Sequence, residues 1–220
     1  MRGIAMLAGF TMLGVFLAPA AQSAQNQATA ASVADAAVAT WTRDAATAEA
    51  ARSTKDTSKA KASEGDDAEA TAQLLVSRRL IVPVLGVRRA SLRDSFAERR
   101  GVKAHEAIDI AAPRGTPVVA AHDGRVAKLY RSLAGGLTVY QFDIDARFAY
   151  YYAHLDGYTD GLREGTMLKR GDPIGYVGST GNARPDAPHL HFAIFRLGPD
   201  KKWWKGSPIN PFPFLNDTAQ

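Results

Sequence analysis

From Leu74 onward the chain is cut into short β-prone runs by Gly, Pro and Asp-Gly punctuation, and few folds accommodate that pattern. Val118-Val119-Ala120-Ala121 leads into the turn His122-Asp123-Gly124, and Arg125-Val126-Ala127-Lys128-Leu129-Tyr130 leaves it. Leu137 to Phe142 follows Gly136, and a polar turn near Asp145-Ala146-Arg147 leads to Phe148 through Leu155. Gly171-Asp172-Pro173 introduces Ile174 to Gly178, and His189 to Phe195 reads as a further strand. Almost no long helical periodicity interrupts the series. Many short strands at close spacing predict a domain dominated by β-structure, an antiparallel sandwich or barrel. Asn210-Pro211-Phe212-Pro213-Phe214 is expected to be an extended tail that packs its aromatics on the body.

Upstream of Leu74 the character is different. Residues 25–73 are rich in Ala, Thr, Ser, Asp and Lys, with one aromatic, Trp41, and no Leu, Ile or Phe. Such a stretch cannot bury enough apolar surface to fold alone. It reads as a disordered linker with a transient helix over Ala31–Arg52, or alternatively as a pro-segment laid over the folded part. Met1-Arg2 followed by the apolar run Ile4–Ala18 has the form of an export signal and is too short for a comfortable membrane span. Ala18-Pro19-Ala20 and Ala21-Gln22-Ser23 both offer small-x-small cleavage geometry. The expected organisation is a signal peptide over 1–24, a linker over 25–73 and a folded domain over 74–220. The destination is outside the cytoplasm, in the periplasm or cell envelope, with membrane attachment only if the signal stays uncleaved.

The net charge of +5 is segregated. Residues 25–73 hold 5 Lys/Arg against 8 Asp/Glu, whereas 74–220 hold 21 against 14. A basic folded part favours anionic partners, and for an exported chain these are lipid headgroups or a wall polymer with free carboxylates. No nucleic-acid motif appears. The absence of cysteine excludes a thiol nucleophile, a disulfide framework and a Cys-type zinc site, so any metal must be held by His and carboxylates.

Four of the 5 histidines lie on or beside apolar strand patterns; the fifth, His122, sits in an Asp-Gly turn with no expected chemical role. In the strand from His189, residues 189, 191, 193 and 195 share one face, and Leu190, Phe192 and Ile194 share the other. The second face is core. Two imidazoles side by side on the first are costly unless hydrogen-bonded, solvated or metal-bound. His105 and Asp109 also share a face if the chain is extended there, and Asp109 lies within an apolar run that calls for a strong partner. Glu106 is expected to point away into solvent. His154 ends a run of tyrosines and is expected to share a face with Tyr150 and Tyr152. Three converging N/O ligands would leave one coordination position open, as in a catalytic zinc site.

Taken in order, His105-x-x-x-Asp109, Tyr152-x-His154-Leu155 and Pro188-His189-Leu190-His191-Phe192 resemble the lysostaphin-type (LytM-type) zinc metallopeptidases of bacterial cell walls. Ile108-Asp109-Ile110-Ala111-Ala112-Pro113, Asp123-Gly124-Arg125-Val126 and Gly178-Ser179-Thr180-Gly181-Asn182 are similar too, so the resemblance covers about 92–215. It implies an antiparallel β fold with a groove, of the duplicated hybrid motif type. It also implies a Zn2+ ion and hydrolysis of peptide cross-links, with peptidoglycan stem peptides as substrate. Residue by residue, His105, Asp109 and His191 match the zinc ligands, and His154 and His189 match the unliganded catalytic histidines. The chain departs from the family pattern at Ala97, Ala107 and Ala187, where glycine is usual, and at Ala193, where glutamate is common. The competing expectation is a non-catalytic regulator that activates a separate wall hydrolase.

Overall fold

The computed structural model describes residues 57–217. The expected signal peptide and the linker up to residue 56 lie outside the described residues. The first element, α1 (Thr57–Arg78), runs across the expected boundary at Leu74, so residues 57–73 are helical rather than structureless. The reason lies in its last turn. Leu75 is fully buried in the core, Leu74 packs against it, and Arg78 bonds Asp143 at 2.9 Å and Asp145 at 2.6 Å. A helix whose end is docked needs no apolar stripe along the rest of its length, because nucleation is already met by tertiary packing.

Beyond the helix the chain is antiparallel β-structure, as the strand punctuation predicts. The small hairpin β1 (Arg99–Arg100) and β2 (Lys103–Ala104) stands by itself. The main sheet takes its order from β5 (Gly124–Ser132), β6 (Gly136–Asp143), β7 (Phe148–Tyr158), β8 (Met167–Leu168), β10 (His189–Leu197) and β11 (Gly206–Ile209), arranged β11-β10-β7-β6-β5-β8. One edge of β10 pairs with β7, and its other edge is shared in tandem by β3 (Ile108–Ala111) and β11. The far end of β7 turns to pair with β9 (Pro173–Val177), which in turn pairs with β4 (Pro117–Val119). This branching closes the sheet over a single main core that includes Tyr150, Tyr152, Phe148, Phe192 and Leu190.

Several buried polar groups in that core are paired with one another. The Tyr152 hydroxyl donates to Gln141 Oε1 at 2.7 Å and accepts from the Ala121 amide at 3.0 Å, while Gln141 Nε2 donates to the His122 carbonyl. At the β6–β7 turn the buried Asp143 carboxylate accepts from the amides of Arg147 and Phe148 and faces Arg78. The C-terminal aromatics Phe212 and Phe214 pack on the body as expected, but through a 3-10 turn (Phe212–Phe214) and not an extended tail. Asn210 Oδ1 accepts from the Phe212 amide, which starts that turn.

Candidate metal centre

His191 sits directly opposite Asp109 in the β3–β10 ladder, so strand register alone makes them neighbours. Leu190, Phe192 and Ile194 fill the core on the other face, and His189 and His191 line a groove together, as alternation predicts. His105 arrives by a different route from the extended strand expected of it. β2 ends at Ala104, β3 begins at Ile108, and Glu106 between them has φ 57°, so the backbone reverses hand there. Amides of His105 and Glu106 bond the carbonyls of Glu98 and Phe96, which locks that turn. The imidazole is thereby delivered onto Asp109, with Nε2 3.0 Å from Oδ1.

Three donor atoms converge. His105 Nε2, Asp109 Oδ1 and His191 Nδ1 are 3.0, 3.1 and 3.2 Å apart pairwise. Ligands about 2.0–2.1 Å from a tetrahedral ion are separated by roughly 3.3 Å, so this triangle has the dimensions of one face of such a site. Its surroundings aim the lone pairs inward. His105 Nδ1 donates to the Ser95 carbonyl at 3.1 Å, which fixes the tautomer with Nε2 unprotonated. Ser95 Oγ accepts from the Asp109 amide, and Arg100 Nη2 donates to Asp109 Oδ2 at 2.8 Å, holding the second carboxylate oxygen away from the triangle.

Two more imidazoles border the triangle. His154 stands at an irregularity in the β6–β7 ladder: Leu137 pairs with Leu155 and Val139 with Tyr152, so β7 carries one extra residue. At that residue φ is 61°. Strict alternation would have sent His154 into the core with Tyr150 and Tyr152. The bulge instead turns it onto the groove face, and Leu155 takes the core position. The expected sharing of a face with Tyr150 and Tyr152 is thus corrected. His154 Nδ1 donates to the Thr180 carbonyl at 2.8 Å, and its ring lies 5.0 Å from His189 and 5.6 Å from His191, centroid to centroid. Thr180 is held because Gly136 and Gly181, both left-handed, let the two loops touch where a β-carbon on either would collide. His189 Nδ1 donates to the Ala187 carbonyl, leaving Nε2 3.7 Å from Asp109 Oδ1.

Charge follows from these contacts. Burial by itself would raise the Asp109 pKa, but its close contacts with His105 and His191 outweigh it and hold the carboxyl well below the usual range. Burial lowers the His191 pKa, with Asp109 opposing. Burial and then the nearby His191 depress His154 to about 4. An ionised carboxylate beside two imidazole nitrogens is a donor set that suits a borderline divalent ion such as zinc.

Sequence reasoning left some groove residues unnoticed. Arg100 carries no motif signal, and its role comes from the β1–β2 hairpin reaching over β3. Trp203 and Trp204, adjacent aromatics among lysines between β10 and β11, line a cleft beside the groove. Glu106 is not in solvent as expected; it is half-buried along a cleft because the left-handed turn swings it back over the body. His122 bonds the Asp123 carbonyl in its turn, away from the groove. Among the described residues with positive φ, none is Ala97, Ala107 or Ala187, so alanine costs no backbone strain at those positions.

The profile of Peptidase family M23 matches residues 103–211, which spans the donor triangle and both neighbouring histidines. Those residues are an M23 peptidase domain. The resemblance carried by the three sequence motifs therefore holds. The chain is 31% identical over 133 residues to the L-Ala--D-Glu endopeptidase of Bacillus subtilis, covering 57% of this chain and 39% of that relative. The Murein hydrolase activator NlpD of Salmonella dublin is 34% identical over 113 residues, covering 50% of this chain and 26% of its own. Among solved structures, the catalytic domain of lysostaphin from Staphylococcus simulans is 30% identical, with a TM-score of 0.44 over 50% of this chain and 78% of that one. The chain thus spans well under half the length of these two curated relatives. Enzymes and an activator of enzymes both occur among the relatives of the M23 domain.

Proposed function

We propose that this chain is an exported zinc endopeptidase that hydrolyses peptide cross-links of peptidoglycan. The observation that carries the reading is the convergence of His105 Nε2, Asp109 Oδ1 and His191 Nδ1, bordered by two imidazoles that are committed to backbone carbonyls through Nδ1. His105, Asp109 and His191 would hold the zinc, which when bound polarises a carbonyl and acidifies water. His154 and His189 present Nε2 to the groove and are the proton carriers between attacking water and leaving amine. His189 Nε2 lies 3.7 Å from Asp109 Oδ1, beside the donor triangle. His154 is held neutral down to about pH 4 by burial and by His191. The signal-like start supports export, and among the described residues no helix is long and apolar enough to cross a membrane.

The kinship with an activator of murein hydrolases supplies a second reading, a regulator without activity of its own. The complete set of donors and proton carriers favours the enzyme. Zinc content and fragment release from purified peptidoglycan distinguish the two, comparing the chain with its His191→Ala variant. The enzyme loses both zinc and fragment release on substitution. Wall turnover that persists undiminished in the variant assigns the chain to the activators.

A further inference from the structure

The donor triangle has two kinds of support. Asp109 and His191 face each other in the β3–β10 ladder, whereas His105 takes its direction from the loop Asp94 to Glu98 that precedes β1. Ser95, almost fully buried there, offers its carbonyl to His105 Nδ1 and its Oγ to the Asp109 amide. The carbonyls of Phe96 and Glu98 accept the amides of Glu106 and His105. If this loop moves, the His105 ring and the start of β3 move with it.

The anchor of the loop comes from 116 residues along the chain. Asn210 Nδ2 donates to Asp94 Oδ2 at 2.8 Å, while Asp94 Oδ1 accepts from the Phe96 amide at 3.1 Å. Among the described residues, every other side-chain hydrogen bond of residues 92–98 stays within residues 92–109. Asn210 itself is firmly seated. It directly follows β11, where Ile209 pairs with Ile194 of β10, and its Oδ1 accepts from the Phe212 amide. Phe212 and Phe214 then pack on the core, with the Arg89 guanidinium 3.9 Å over the Phe212 ring. β10 is also the strand that carries His191.

We propose that Asn210 and Asp94 are positioning residues for the metal centre. Their hydrogen bond registers the loop that supports His105 and Asp109 against the strand that carries His191. Both side chains act through Ser95. A loop bonded only to its own neighbours can drift as a unit without breaking any of those bonds, and the Asn210 bond removes that freedom. Metal sites hold ligand distances to within about 0.2 Å, so a small drift of one donor against the other two is felt as lost affinity. The inference rests on the zinc reading above.

A donor–acceptor swap tests it. Asp94→Asn sets two amide donors against each other, and Asn210→Asp sets two carboxylates against each other. In the double variant donor and acceptor exchange sides, and the Phe96 and Phe212 amides keep their acceptors. Zinc affinity is measured by chelator competition. Imidazole nitrogen NMR shifts of the metal-free chain, above neutral pH, report whether His105 still carries its proton on Nδ1. Each single variant should bind zinc about tenfold more weakly, the low end for an outer partner of a ligand, and should mix the His105 tautomers. The double variant should return to within about twofold of the parent and to one tautomer. Melting of the metal-free chain should change little in all three, since the bond lies near the surface. Unchanged zinc affinity in both single variants, or a double variant as weak as the weaker single, overturns the assignment. A parent chain that takes up no zinc, while the single variants mix the tautomers and the double restores them, keeps the link and removes the zinc reading. Zinc binding that no variant alters does the reverse.

Discussion

Asp109 and His191 face one another across the β3–β10 ladder with Oδ1 and Nδ1 3.2 Å apart. Sheet hydrogen bonding therefore sets two of the three donors, and only His105 depends on a loop. On the proposed function, the residues that would hold metal are distinct from those that would handle protons, and the separation can be tested one residue at a time.

His191→Ala and Asp109→Ala are expected to abolish stoichiometric zinc binding, measured by elemental analysis of the purified protein. His189→Ala should retain zinc while its turnover of peptidoglycan falls about 10²–10⁴-fold, the usual contribution of a positioned acid or base. Loss of zinc from His189→Ala would place that residue among the ligands instead.

His154 occupies a left-handed backbone position, where Asn is tolerated far better than β-branched residues. His154→Asn should therefore keep its zinc and melt within a few degrees of the parent, yet lose turnover. His154→Val should melt markedly lower as well, because the bulge would be strained. Equal melting of the two variants would show that the bulge tolerates any residue.

Stability of the metal-free chain should depend on pH through His154. Its folded pKa of about 4 lies below the unfolded value near 6.5, so the unfolded chain binds more protons between them. The contribution is fully present above pH 6.5 and is lost as pH falls toward 4, by at most about 1.4 kcal/mol per pH unit for one group. Denaturant titrations across that window should show the slope in the parent and a shallower one in His154→Asn. Identical slopes would remove His154 as the source.

Arg100 grips the Asp109 oxygen that the triangle does not use. Arg100→Ala should weaken zinc affinity about 10–100-fold, as loss of an outer partner of a ligand does, with the fold unchanged. Competition with a chelator of known affinity measures it. Arg100→Lys should recover part of the loss, because one donor still reaches Oδ2.

Much of this was legible in the residues. The alternation Leu190, Phe192, Ile194 against His189, His191 assigned the faces of β10 correctly, since a strand has only two faces and one of them was plainly apolar. Asp109 was conspicuous for the same reason, a charge between two isoleucines. His154 was misplaced because alternation has no knowledge of a bulge, which arises from how β6 and β7 pair and not from the composition of either. The helix over 57–73 escaped notice because its own residues have no apolar stripe and its anchor, Leu75, lies beyond the composition boundary.

The sequence by itself determined the strand-rich architecture, the core face of β10 and the five histidine and aspartate candidates for the site. Those depend on local periodicity and on the cost of burying unpaired polar groups, both of which act within a few residues. Tertiary structure alone decided that His105 meets Asp109 through a left-handed turn, that Arg100 reaches over β3, and that Trp203 and Glu106 line one cleft. Those relationships join segments up to about a hundred residues apart. Their energies exist only once strand pairing has brought the segments together.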